Sequence, residues 1–147
     1  RIVRLANPYG PHQRPNGKLG AVTTFTYKAL KQEEIIVYGD GSVIRDFIYI
    51  DDAIRAILKI AESDNNRYKI FNVGCGYGTS IKNVLSTISD SLGIELNISY
   101  KGSRKVDVPI NYLDISRYEE CFGKLSTIPL CEGIKMTAIF MKDYYQI

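Results

Sequence analysis

The chain has 147 residues, 45% of them apolar and 24% charged, which is the make-up of one globular domain and excludes disordered and fibrous classes. Its longest apolar runs, such as Phe47 to Ile50, fall far short of the roughly 20 residues a membrane span requires. The net charge of +3 is scattered, with no basic run longer than Arg104-Lys105, which speaks against a nucleic-acid stripe and is compatible with a small anionic ligand.

Arg1 to Ala6 reads as a β-strand, with no methionine and no lead-in turn. The expectation is a part of a longer protein, without signal peptide and cytoplasmic. Asn7-Pro8-Tyr9-Gly10-Pro11 is dense in turn formers and His12 to Lys18 continues as loop. From Leu19 to Leu30 the apolar positions Leu19, Val22, Phe25, Ala29 and Leu30 form a helical stripe, followed by a short strand from Ile35 to Tyr38 that ends at Gly39. Arg45 to Ile50 predicts another strand, after which Asp51 or Asp52 caps a helix through Ala61.

Tyr68 to Val73 is the next predicted strand and Gly74 to Gly78 a flexible loop. Ser80 then caps a helix whose Ile81, Val84, Leu85, Ile88 and Leu92 share one face before Gly93 stops it. Ile94, Leu96, Ile98 and Tyr100 alternate as in a half-buried strand, and Arg104 to Leu113 reads as loop. Ser116 to Phe122 is a short helix closed by Gly123, and Pro129 leads into a final helix along Ile134, Thr137, Ala138 and Met141. Strands alternate with helices, so the class is α/β.

Chemistry-bearing residues are few. Cys75, Cys121 and Cys131 are odd in number without CxxC spacing, and His12 is the one histidine, so disulfide and metal sites are not expected. No Ser/His/Asp set, no Cys/His pair with a base and no Tyr-x-x-x-Lys proton relay is recognised, so binding is expected rather than catalysis. Arg45 opens an apolar strand at a glycine-rich turn; a guanidinium there needs a carboxylate or a phosphate. Asn72, at the end of a core strand, bonds either backbone or ligand. Asn7 ends the first strand, where open α/β sheets place ligands, with a local turn bond to Tyr9 or Gly10 as the alternative.

Gly74 to Gly78 has the form of a nucleotide-binding glycine loop and equally of a loop that needs glycine for positive φ. Arg104 and Asp107 read singly as solvated charges. Tyr38 and Tyr49 read as packing residues. Taken together, Arg45, Arg104, Asn7 and Asn72 offer two guanidinium groups and two amides, a composition that fits a diphosphate.

The ordered set Arg4-Leu5-Ala6-Asn7-Pro8-Tyr9-Gly10-Pro11, Tyr38-Gly39-Asp40-Gly41, Arg45-Asp46-Phe47-Ile48-Tyr49-Ile50-Asp51-Asp52, Phe71-Asn72-Val73-Gly74 and Arg104 with Asp107-Val108 resembles one family. It is similar to the carboxyl-terminal half of the extended short-chain dehydrogenase/reductases, the NAD-dependent nucleotide-sugar epimerases and dehydratases of the UDP-glucose 4-epimerase type. The resemblance implies the last core strands of a Rossmann-type sheet plus a small α/β substrate-binding subdomain, all 147 residues forming one substrate-binding region.

It further implies that Asn7 bonds the sugar nucleotide near its diphosphate and that Ala6 and Asn7 pass close to the nicotinamide of NAD. Lys18 and Leu19 would open the helix covering the ligand, backbone groups of Ile36, Val37 and Tyr38 would hold the pyrimidine, and Arg45 and Arg104 would take phosphate oxygens, with Asn72 assisting and Asp107 near the ribose. The family's glycine-rich NAD fingerprint and catalytic Tyr-x-x-x-Lys belong to its first half, so this chain is expected to be inactive by itself, and the whole enzyme a homodimer. Lys124-Leu125 stands where many members have tryptophan, and the link from Leu125 to Cys131 departs from the family pattern. The alternatives are an S-adenosylmethionine methyltransferase, suggested by the Gly74 to Gly78 loop, and a non-catalytic interaction domain.

Overall fold

A computed structural model describes residues 1–16, 20–64, 67–103 and 108–147. In chain order the elements are β1 (Ile2–Leu5), β2 (Asn7–Tyr9), α1 (Ala21–Leu30), β3 (Ile35–Tyr38), β4 (Ile44–Arg45), β5 (Phe47–Tyr49) and α2 (Ile50–Glu62). They continue as β6 (Ile70–Val73), β7 (Thr79–Ser80), α3 (Ile81–Leu92), β8 (Ile98–Lys101), β9 (Ile110–Asn111), α4 (Ser116–Phe122) and α5 (Leu130–Tyr145). Parallel pairing dominates: β1 runs beside β6, β2 beside β5 and β3 beside β8, while β4 lies between antiparallel β7 and parallel β9. This is the α/β class.

β5 shows why the core divides. Successive strand residues point to opposite faces, so Phe47 and Tyr49 join a cluster with Tyr9, Val22, Val84, Ile88 and Ile134, bringing α1, α3 and α5 together. Ile48 points the other way, into a second cluster with Ala53, Ala56, Ile60, Phe71, Val73 and Tyr118 under α2 and α4. Ile35, Val37 and Leu85 form a third, smaller core.

The capping of α3 is as the sequence predicts: the Ser80 hydroxyl accepts from the Asn83 amide at 3.1 Å and Gly93 ends the helix at φ 64°. Elsewhere tertiary contacts override local signals. Asn7-Pro8-Tyr9 is a strand rather than a turn, because Phe47–Tyr49 offers a parallel partner in register; Pro8 is tolerated since β2 pairs on one side only. The predicted strand Arg45 to Ile50 is broken at Asp46. Asp51 and Asp52 do not cap α2: Tyr49 occupies the cap position without a side-chain bond, and both aspartates sit in the first turn.

Three other boundaries move for identifiable reasons. Tyr68 stays outside β6 because the pairing with β1 starts at Ile2 opposite Ile70; its hydroxyl donates to Glu120 Oε2 at 2.8 Å. Ile94 lies outside β8 because it is tied back to α3, its amide on the Ser89 carbonyl at 3.2 Å and its carbonyl receiving the Ser89 hydroxyl at 2.8 Å. Ile110 and Asn111, read as loop, gain strand geometry by pairing with Ile44 and Arg45.

Candidate functional site

The carboxyl ends of β1 and β3, all of β2, the start of α1 and Arg45 converge on a cleft of about 510 Å³. This is the size range of small-molecule sites, and the placement at strand ends is where open α/β sheets bind ligands. Phe25, Ile36, Val37, Val43, Phe47 and Ile81 make its apolar walls. Asn7, Gln13, Tyr38 and Arg45 supply polar groups. Among the described lining residues Arg45 is the one charged side chain, and none is acidic.

Six of the residues singled out from the sequence therefore meet: Ala6, Asn7, Ile36, Val37, Tyr38 and Arg45 all line this cleft. Asn72 does not. Its side-chain amide donates to the Asp114 carbonyl at 2.7 Å, so the backbone alternative holds for this residue. Lys18, Leu19, Arg104 and Asp107 lie outside the described residues. Tyr49 is a buried packing residue as expected, whereas Tyr38 is 39% exposed at the cleft.

Asn7 is fixed by a contact neither local alternative anticipates. Its backbone amide and its side-chain Nδ2 both donate to the Asp46 carbonyl, at 3.0 and 2.8 Å. With Nδ2 engaged, Oδ1 is the acceptor that the side chain has to offer a ligand hydroxyl. Arg45 finds carbonyls where a carboxylate or phosphate was expected: Nη1 donates to Ile44 at 2.8 Å and Val108 at 2.6 Å. Those bonds use one nitrogen of a five-donor fork. Among the described residues Nε and Nη2 have no acceptor, which leaves them for an anionic oxygen.

The sequence reading passes over two residues here. Gln13 donates through Nε2 to the Pro8 carbonyl at 3.1 Å, while its Oε1 is buried at the cleft without a partner among the described residues; an unpaired buried acceptor at a cavity wall suits a ligand donor. Asp46, taken only as a strand residue, is buried, and its carboxylate accepts the amides of Cys75 at 2.7 Å, Gly76 at 3.3 Å and Leu113 at 3.3 Å. An acid placed between an arginine and the apolar run Phe47 to Ile50 is the sequence signal for it.

The same bonds decide what the Gly74 to Gly78 loop does. Its Cys75 and Gly76 amides are taken by a carboxylate of this chain, and Gly76 has φ 77°, so Gly76 serves conformation and internal binding. Burial, and next the charge of Asp46, push the Cys75 thiol up to about 11. Cys75 is accordingly a neutral donor, bonding the Phe47 carbonyl at 3.0 Å.

One Tyr-x-x-x-Lys spacing does occur, contrary to expectation: Tyr27 and Lys31 at the end of α1. It is far from proton-relay geometry. Tyr27 lies edge-on to Tyr145 at 5.4 Å, in a separate aromatic opening with His12 and Tyr144, and Lys31 Nζ stands 6.0 Å over the Tyr27 ring. Neither residue lines the cleft. Among the described residues no group of three His, Cys, Asp or Glu could hold a metal ion, and no helix is long and apolar enough to cross a membrane.

The model of the NAD dependent epimerase/dehydratase family matches residues 1–74. The UDP-glucose 4-epimerase of Thermotoga maritima, solved with UDP-glucose, superposes with a TM-score of 0.89 at 35% identity, over 98% of this chain and 46% of that one. The UDP-glucuronic acid 4-epimerase of Bacillus cereus, solved with UDP-glucuronic acid and NAD, gives a TM-score of 0.87 at 27% identity, over 98% of this chain and 45% of that one. Among curated proteins, the UDP-glucose 4-epimerase of Mycolicibacterium smegmatis is 31% identical over 144 residues, 98% of this chain and 46% of the relative. The chain thus spans a little under half the length of the proteins it matches, with the α/β fold of the extended short-chain dehydrogenases. A family match over residues 1–74, which contain every described residue lining the cleft except Ile81, shows that this chain belongs to the NAD-dependent epimerase/dehydratase family.

Proposed function

We propose that this chain is the nucleotide-sugar-binding portion of an NAD-dependent epimerase or dehydratase acting on a UDP-sugar. The reading is carried by one observation: a cleft of about 510 Å³ whose apolar walls end at Arg45 and Asn7, the composition a pyrimidine diphosphate sugar requires. The base lies along Ile36, Val37 and Tyr38, where strand backbone supplies donors and acceptors. Phosphate oxygens take the remaining donors of Arg45, and Asn7 Oδ1 and Gln13 Oε1 accept from sugar or ribose hydroxyls. Lys18, Leu19, Arg104 and Asp107 are assigned to the same ligand by resemblance.

The fit to NAD is limited to one edge of the cofactor. Ala6, a small side chain, and Asn7 meet the cleft at the end of β1, whereas the one glycine loop beside them has given its amides to Asp46. NAD, when bound, accepts and returns a hydride. This chain's residues would hold the nucleotide so that the sugar faces Ala6 and Asn7, using contacts distant from the reacting carbon to orient it. The chain by itself is inactive in this reading, and the whole enzyme is a cytoplasmic homodimer.

Isothermal calorimetry tests the assignment against the methyltransferase and interaction-domain alternatives. UDP-glucose should bind and S-adenosylmethionine should not. A folded chain that binds S-adenosylmethionine, or neither ligand, overturns the proposal.

A further inference from the structure

Asp46 sits at the point where the cleft's polar groups are anchored, yet it does not line the cleft. Three facts meet there. The carboxylate gathers three amides from two separate segments, Cys75 and Gly76 after β6 and Leu113 after β9. The carbonyl of the same residue holds both nitrogens of Asn7. And Arg45, its direct neighbour, is pinned through Val108, two residues before β9. Asn7 and Arg45 thus both reach the cleft from backbone next to Asp46. We propose that Asp46 is a positioning residue: its buried negative charge ties β6, β9 and the β4–β5 break into one frame, and this frame sets where Asn7 and Arg45 meet a nucleotide diphosphate.

The chemistry favours a carboxylate over any neutral replacement. Three N–H donors converge on two oxygens, and an ionised acid supplies acceptors alone. Asparagine can serve the Cys75 amide through Oδ1, but its Nδ2 then faces the Gly76 and Leu113 donors. The strand breaks at Asp46, where the pairing passes from β7 and β9 to β2. Gly74 makes the close approach of this carboxylate possible: an added Cβ would lie 2.9 Å from both Asp46 Cγ and the Ala6 Cβ. Gly74 is not in the left-handed region, so alanine there acts through crowding and not through backbone strain.

The inference rests on the proposed function for its ligand, and its test separates the two. In the chain labelled with ¹⁵N, Asp46→Asn and, independently, Gly74→Ala should displace the Asn7 side-chain amide and Arg45 Nε resonances while the thermal unfolding transition stays cooperative. Both should weaken UDP-glucose binding by about ten- to a hundredfold, the range of one hydrogen bond to a charged group. The double variant should be no weaker than the worse single one, because both act on the same carboxylate. If Asn7 and Arg45 keep their resonances in both folded variants, or if the two losses simply add, Asp46 is not the positioning residue. If the unaltered chain binds no UDP-glucose, the functional reading fails, and the resonances alone decide the role of Asp46.

Discussion

Replacing Asp52 by alanine probes how the structure holds the end of the chain onto α2. Asp52 is fully buried in the first turn of that helix; its Oδ2 accepts the Ile128 amide at 2.7 Å and its Oδ1 pairs with Arg55. Three contributions are lost. A hydrogen bond to a charged acceptor contributes about 1.5–3 kcal/mol. A carboxylate in the first turn of a helix adds about 0.3–1 kcal/mol. The Arg55 pair adds at most about 1 kcal/mol, since the arginine is 57% exposed and screened. Opposing these, the variant no longer desolvates a charge and gains the better helix propensity of alanine, about 0.5 kcal/mol. The expected net loss is about 2 kcal/mol, or roughly 4–8 °C in Tm for a domain of this size. Urea unfolding followed by circular dichroism measures it. Asp52→Asn, which keeps an acceptor for Ile128, should lose about half as much. A change below about 0.5 kcal/mol in Asp52→Ala would refute the view that this carboxylate anchors the segment before α5.

Arg45→Ala should weaken UDP-glucose binding by about 1–3 kcal/mol in calorimetry with little change in Tm, because the side chain's own bonds are to partly exposed carbonyls. Cys75 makes stability depend on pH: its thiol ionises near 9 when unfolded and only near 11 when folded, so its contribution is complete below 9 and is lost as pH rises toward 11. Denaturation at pH 8 to 10 should show that slope, and Cys75→Ala should reduce it, leaving the part near pH 10 that Tyr9, Tyr49, Tyr77 and Tyr118 contribute, whose hydroxyls burial also pushes up. Ser80→Ala should cost about 1 kcal/mol of stability, read by the same denaturation, through loss of the bond to the Asn83 amide.

How far the sequence discloses this molecule depends on whether a signal is local. Ser80, Gly93 and the apolar stripe between them specify α3 by themselves, and the structure places that helix as read. The Asn7 to Tyr9 segment carries turn residues yet pairs with a strand some 40 positions away, which no local signal announces. Arg45 is recognisable as an arginine that needs partners, but whether those are carbonyls or phosphate depends on where β9 brings Val108. Asn72 shows the same limit, since its partner Asp114 is remote in sequence. Asp46 is the instructive omission. In the sequence it reads as a residue of the strand from Arg45 to Ile50, and only the fold reveals that its acceptors face three amides.

A crystal structure of the chain grown with UDP-glucose tests the central claim most directly. The account predicts the nucleotide in the cleft between β3 and the end of β2, with diphosphate oxygens within hydrogen-bond distance of Arg45 and a ligand hydroxyl on Asn7. A ligand bound elsewhere on the surface, with Arg45 and Asn7 untouched, would contradict it.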